Sequence, residues 1–290
     1  MTDRKKQRYF CVLIIIWAAL FLTSCAPIVI EPAKICPGRK TATQAILKLK
    51  SQWQNSEPFK ATGQCKWEGY DEKGVKRKEN FAVRLWLQPP DNFCLHGDVF
   101  FNSSGIVLGA NASEFWLTAK PKEIRGYFWG QRDIDDVSQQ LLIGPENLFE
   151  ALGAVKVSNT NTVLSNRLGF DILTKKGIRN LPLKKIFINT CSYLVKRIEY
   201  FDNAGRLRAT AEMDDHKKLT EGFFVPRRIK INRIDQAGKN DIFLITLNSV
   251  NLKEIKPKAR HVLFNRPDTA GFEMIMKFAP SLGRFIEEKP

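Results

Sequence analysis

The chain has 290 residues, 43% hydrophobic and 11% aromatic, enough apolar material for a folded core and too much for a disordered or fibrous chain. Its 46 Lys and Arg outnumber 30 Asp and Glu, and the formal charge of +16 favours anionic partners: nucleic acid, phospholipid headgroups or an acidic glycan. Six cysteines are too few for a disulfide scaffold in a chain this long, and no C-x-x-C pair marks a zinc or dithiol site.

Arg4, Lys5, Lys6 and Arg8 precede a short apolar run over 11–22 that ends in Leu22-Thr23-Ser24-Cys25. This is the order of an export signal, and the run is shorter than the ~18 to 20 apolar residues that span a bilayer. Leu-Thr-Ser-Cys resembles the lipobox of bacterial lipoproteins, which implies cleavage after residue 24 and diacylglycerol on the Cys25 thiol. An ordinary cleaved signal would leave that cysteine unexplained. Residues 1–24 are then the signal, and 25–40, with Pro27, Pro32, Pro37 and Gly38, a tether. Ala26 in place of Asp implies, by the proteobacterial sorting rule, an outer-membrane anchor facing the periplasm. Loss of the signal removes four basic residues and Asp3, leaving 42 basic against 29 acidic. The basicity therefore belongs to the domain. An exported protein does not meet chromosomal DNA, so the charge reads as attraction to anionic lipid or glycan, or as a plain solvated surface, with no nucleic-acid role.

Ala42, Ala45, Ile46, Leu49 and Trp53 recur at helical spacing and predict a helix over 41–54 with Thr41 as N-cap. From Phe59 the period becomes two. Strands are expected at 59–69, 80–88, 93–101, 106–110, 114–119, 124–129, 164–174, 184–189, 194–201, 207–213, 225–234 and 241–250. Gly-containing turns separate them at 71–74, 102–105, 202–205 and 236–238. Pro145 to Gly153 interrupts the series as a short helix, and Phe272, Ile275, Met276 and Ala279 predict another before Pro280. The absence of βαβ alternation excludes a doubly wound nucleotide fold and points to one large antiparallel sheet. Such a sheet curls, and its interior either packs solid or encloses an apolar hollow.

The signal and lipobox, the helix at 41–54, the hairpins through 81–87 and 93–101, the insertion Leu141-Leu142-Ile143-Gly144-Pro145-Glu146, and the stretches Tyr200-Phe201-Asp202-Asn203-Ala204-Gly205 and Val225-Pro226-Arg227-Arg228-Ile229 together resemble the lipoprotein-carrier superfamily of LolA- and LolB-like proteins. The resemblance covers residues 41 to 250 and rests on the order of elements, not on a catalytic signature. It implies a mainly β fold, a curled antiparallel half-barrel with a helical lid, over 41–255, with 256–290 as a C-terminal extension. It also implies that the hollow receives acyl chains of a lipoprotein or lipid, with no cofactor. In the receptor branch an apolar residue on a protruding loop helps insert cargo; the corresponding loop here is read as the polar Asn102-Ser103-Ser104-Gly105.

On this reading Phe81, Val83, Leu85 and Leu87 share one strand face, and Phe93, Leu95, Phe115 and Leu117 continue it as cavity lining. Leu148, Phe149 and Leu152 form the lid face. The competing reading is a non-enzymatic envelope scaffold with a solid core and a basic surface for a protein or glycan partner. For catalysis the motifs are missing: no G-x-S-x-G, P-loop or G-x-G-x-x-G occurs. His96, His216 and His261 lack metal-ligand spacing. Asp214-Asp215-His216 beside Lys217-Lys218 reads as a solvated loop, and Glu146 with Glu150 as a solvated helix start. Cys36, Cys65, Cys94 and Cys191 are free to pair in an oxidising compartment, with partners left open by spacing.

Overall fold

The structure, a computed structural model, describes residues 35–290 apart from 71–73, 100–101, 121–124, 133–144, 156, 178, 235–237, 280–281, 283 and 289–290. The signal, Cys25, tether residues 26–34 and residues 141–144 of the insertion lie outside the described residues.

Helix α1 (Ala42–Gln54) starts where the sequence places it: the Thr41 hydroxyl accepts the Gln44 amide at 3.2 Å, and Ala45, Ile46 and Leu49 form its buried face. An antiparallel meander follows: β1 (Phe59–Tyr70), β2 (Lys76–Gln88), β3 (Asn92–Val99), β4 (Asn102–Ala110), β5 (Glu114–Ala119) and β6 (Gly126–Gln131). Helix α2 (Pro145–Ala151) separates it from a second meander, which comprises β7 (Thr162–Arg167), β8 (Phe170–Lys176), β9 (Pro182–Asn189), β10 (Val195–Phe201), β11 (Leu207–Thr220), β12 (Phe223–Ile234) and β13 (Asn240–Leu252). The last strand returns beside the first, with Phe59 opposite Leu252 and Glu68 opposite Ile242, so the two meanders share one open sheet.

The period-two pattern carries the packing. On β2, Val83, Leu85 and Leu87 are buried while Arg84 and Trp86 point the other way, and the register sets Leu85 beside Ala61 and Leu95, and Leu87 beside Phe59 and Phe93. One core cluster holds Phe93, Leu95 and Leu108 of the first meander together with Leu173, Ile186 and Ile188 of the second. Strands from opposite wings meet there only because the sheet curls around them. Gly63 sits at the bulge between β1 and β13, where a Cβ would run into the Thr246 carbonyl oxygen.

The C-terminal residues build onto this sheet. Helix α3 (Pro257–Phe264) lies on the outer face, where Ile255 and Phe264 bury Cys94 with Trp86 and Val107 packed alongside. Strands β14 (Met274–Ala279) and β15 (Arg284–Glu287) then extend the sheet past β6, with β14 parallel to β6 and antiparallel to β15. The helix expected around Phe272 to Ala279 is therefore corrected to a strand. The open backbone groups of β6 supply its hydrogen bonds, and that pairing overrides a weak helical spacing.

Three further expectations are corrected. Residues 102–105 are not a turn but the start of β4, since Val99 pairs with Asn102 and leaves only 100–101 to connect the strands. The single strand expected over 164–174 is two strands, joined at Leu168 (φ 48°) and Gly169 (φ 81°), a left-handed pair that closes a two-residue hairpin. Asp214 to Lys218 is not a loop; β11 runs through it, with Asp215 at φ 52° and His216 opposite Pro226. Among the described residues no helix is long and apolar enough to cross a membrane.

A disulfide joins Cys36 to Cys191, 155 residues apart, and fastens the segment before α1 to the turn between β9 and β10. Cys65 and Cys94 are free and buried, and burial pushes both thiols up to about 12. Replacing Cys36 and Cys191 by Ser is expected to lower stability by about 2–4 kcal/mol. Denaturant titration of oxidised wild type against the double variant measures it; reductant should lower the wild type alone.

Candidate functional site

The inner face of the sheet is covered by α1 and α2, and Phe149 on α2 is where the cover meets the sheet. Fully buried, it packs edge-on against Trp53 of α1 (centroids 5.5 Å apart) and Phe93 of β3 (6.4 Å). The Arg132 guanidinium lies 4.9 Å from its ring centroid. That guanidinium is itself held by the carbonyl oxygens of Asp91 (2.6 Å) and Asn111 (2.7 Å), so the cation over the ring is fixed in place. Trp53 also packs edge-on against Phe223 of β12 at 5.9 Å.

Two polar anchors hold the cover to the second meander. Glu150, 4% exposed, accepts Lys184 Nζ at 2.6 Å and the Tyr200 hydroxyl at 2.8 Å. The expectation of a solvated Glu150 is thereby corrected; the side chain of Glu146 is not described. Asp171, fully buried, accepts the Arg39 amide (3.0 Å), Asn166 Nδ2 (2.6 Å) and the Tyr193 hydroxyl (3.4 Å), and the Arg39 guanidinium lies over the Tyr193 ring. Burial, reinforced by the Asp171 charge, raises the Tyr193 phenol well above its ordinary value and keeps it a donor. Together with the Cys36–Cys191 disulfide, this second anchor pins the entry to α1.

Under the cover there is little room. A cavity of about 40 Å³ remains between the end of α1 (Leu49, Gln52, Trp53), the residues after α2 (Gly153) and β10–β12 (Val195, Met213, His216, Phe223, Pro226). On the inner face Phe59, Phe93, Phe149 and their neighbours pack into one apolar cluster. His216 at its edge has Lys196 Nζ at 3.4 Å, and burial, then Lys196, depress its pKa to about 4.

Of the residues read as cavity lining, Val83, Leu85, Leu87, Phe93 and Leu95 are buried in the main core, and Phe81 and Leu117 pack against it half-buried. Phe115 is the exception. It shares their face but belongs to a separate cluster with Ala110 and Phe278, bordered by Phe285. The C-terminal strands claim it, and a reading that treated 256–290 as an appendage had no means to anticipate this. Leu148, Phe149 and Leu152 all lie in the main core beneath the cover. Sequence reasoning missed Arg132, Lys184, Tyr200 and Asp171. Asp171 carried a signal, a lone carboxylate in an alternating apolar strand; the others did not. Among the described residues no three His, Cys, Asp or Glu side chains gather as a metal site would require.

No family model matches the chain, and no curated protein matches it in sequence. Its fold does match solved structures. A LolA superfamily protein from Nitrosomonas europaea superposes with a TM-score of 0.50 at 11% identity, over 78% of this chain and 99% of that one. An outer-membrane lipoprotein-sorting protein domain from Vibrio parahaemolyticus gives 0.52 at 10% identity, over 75% and 94%. A DUF1329 family protein from Desulfovibrio piger gives 0.52 at 9% identity, over 75% and 95%. The fold is LolA-like: a large, open, mainly antiparallel sheet with helices on its inner face.

Phe149→Ala is expected to destabilise the chain by about 3–5 kcal/mol, measured by urea unfolding, because it removes a fully buried ring from the core and leaves a cavity. A separate test uses His216. Its folded pKa of about 4 lies below the ordinary 6.5, so the unfolded chain takes the proton first. Stability contributed by neutral His216 is full above about 6.5 and is lost as the pH falls toward about 4. The Asp214 carboxylate beside Lys196 is held low and stays ionised through most of that window. In His216→Gln the urea midpoint should lose this part of its pH dependence.

Proposed function

We propose that this protein handles the acyl chains of lipoproteins or lipids at a bacterial envelope membrane, anchored through an acylated Cys25 and taking part in their localisation to the outer membrane. The observation that carries the reading is the inner face itself: an apolar concavity closed by two short helices instead of a second sheet. Helices resting on a sheet leave by rotating away, whereas a paired sheet does not.

A closed cover without cargo is what the energetics demand. A dry hollow of ~300 Å³, the lower end of ligand pockets, would cost about 7 kcal/mol at ~24 cal/mol per Å³. That is comparable with the whole stability of a domain. The rings of Trp53, Phe149 and Phe223 occupy the space in the free chain, and an entering acyl chain replaces their contacts methylene for methylene at about 0.8 kcal/mol each.

The filled interior also favours a second reading, an envelope scaffold with a permanent core that uses its basic surface to hold a protein or glycan partner. Cargo separates the two. Native mass spectrometry and lipid extraction of the chain with residues 1–25 replaced by a cleavable, non-lipidated export signal, purified from the periplasm without detergent, should find bound lipid under the first reading. Uptake of a fluorescent fatty acid should be weakened by Phe93→Trp, which overfills the inner face. No bound lipid and no uptake would establish the scaffold.

A further inference from the structure

The tip of the β7–β8 hairpin breaks two local rules at once. Leu168 stands in the left-handed region at φ 48°, where a branched apolar residue is strained and Asn or Gly is at ease. It is also 81% exposed, so the strained backbone gains no burial in return. Among the described residues nothing recovers either penalty, and an outlier of this kind points outward. Beside it lies Ile35, itself 70% exposed, whose Cγ2 is 4.0 Å from the position a Cβ on Gly169 would take. The tip is held rigidly by the Thr190 amide and hydroxyl, both donating to the Gly169 carbonyl, and by the Cys36–Cys191 disulfide next to Ile35. Exposed Arg167 precedes Leu168 in the hairpin.

We propose that Leu168 and Ile35 form a membrane-docking tip that dips into the interface of the phospholipid bilayer, with Arg167 at the headgroups. The occupant follows from where the chain leads. The inference rests on the reading of Cys25 as the acylated residue: from there to Ile35 an extended chain reaches at most ~36 Å, so the bilayer and the tip share a small volume and even a weak contact is occupied. A basic residue beside exposed apolar ones suits an anionic lipid surface better than a protein groove. Docking at this end would point the strands β7 to β10 toward the membrane and hold the turns at their opposite end, such as the one carrying Ala204, away from it.

The test places an environment-sensitive nitrobenzoxadiazole label on Leu168→Cys or, as a control, on Ala204→Cys. Each is made in the full lipidated chain and in a chain starting at residue 26 whose N-terminal histidine tag is held on nickel-chelating lipid. Vesicles are phosphatidylethanolamine with phosphatidylglycerol, with and without lipids carrying a nitroxide quencher. The expected result is blue-shifted emission, quenched by the nitroxide, at 168 and aqueous emission at 204 in both formats. Aqueous emission at 168 in the tag-held chain overturns the proposal, as does a blue shift that appears without vesicles. If the full chain fails to float with vesicles while the tag-held tip still dips in, docking stands and the acylation reading falls. Leu168→Asn should keep or raise the thermal midpoint; a lowered midpoint would show that Leu168 serves the fold and overturn its assignment to the membrane.

Discussion

The pairing of β1 with β13 is the contact on which the rest depends. Each meander alone is a ribbon of hairpins with one apolar face, and hairpins of that kind are marginal in water. Set side by side in the register that puts Ala61 opposite Val250 and Cys65 opposite Ile245, they share one apolar face wide enough to curl and enclose a core. Every residue that matters to the site inherits its position from that register. A slip of one would send Phe59, Leu85 and Leu87 to the outer face and bring Lys60 and Trp86 inside. Gly63 at the bulge is a local mark of the same constraint, because only a residue without a side chain lets the two backbones approach there.

An open sheet that curls leaves its concavity to be covered, and α1 and α2 do this with little surface of their own. Helix α2 is too short to be stable in isolation. Its place is fixed by what it inserts, the Phe149 ring between Trp53, Phe93 and Arg132, and by the buried Glu150 that it offers to Lys184 and Tyr200. The ring supplies packing energy and the carboxylate supplies direction. A buried charge with both oxygens satisfied adds little net stability, but it resists every arrangement that leaves it unpaired.

Much of this was legible before the structure. Alternation of apolar and polar residues found the strands of both meanders, and Thr41 with the spacing of Ala45, Ile46 and Leu49 found α1 and its cap, because these signals are local. The failures share a cause. Leu168-Gly169 closes a hairpin without the Asn-Gly or Asp-Gly that such turns ordinarily carry, so the break between β7 and β8 left no trace. Met274 to Ala279 becomes a strand only because β6 presents an unpaired edge, a fact about residues some 150 positions earlier. Lys184 and Tyr200 look like any alternating polar residues until α2 lies across them. Whether the inner face lines a space or fills it was not legible either: apolar strand faces look the same in both cases, and composition does not distinguish the two.

The distribution of anchors makes the cover asymmetric. Glu150 is bonded to β9 and β10, while Asp171 on β8 and the disulfide at Cys191 hold the chain entering α1, so all three fastenings lie on the second meander. Toward the first meander the cover rests mainly on apolar contact, Phe149 on Phe93 with Leu85 and Leu87 beneath, and on one cation above a ring. The two kinds of contact respond differently to an apolar guest. Directional hydrogen bonds to buried carboxylates have no substitute in hydrocarbon and would be left unpaired, at a penalty of several kcal/mol. Apolar contacts are interchangeable, and a methylene chain that slides between Phe149 and Phe93 replaces what it displaces. Of the contacts described, those toward β2 and β3 are of the interchangeable kind and those toward β8 to β10 of the directional kind.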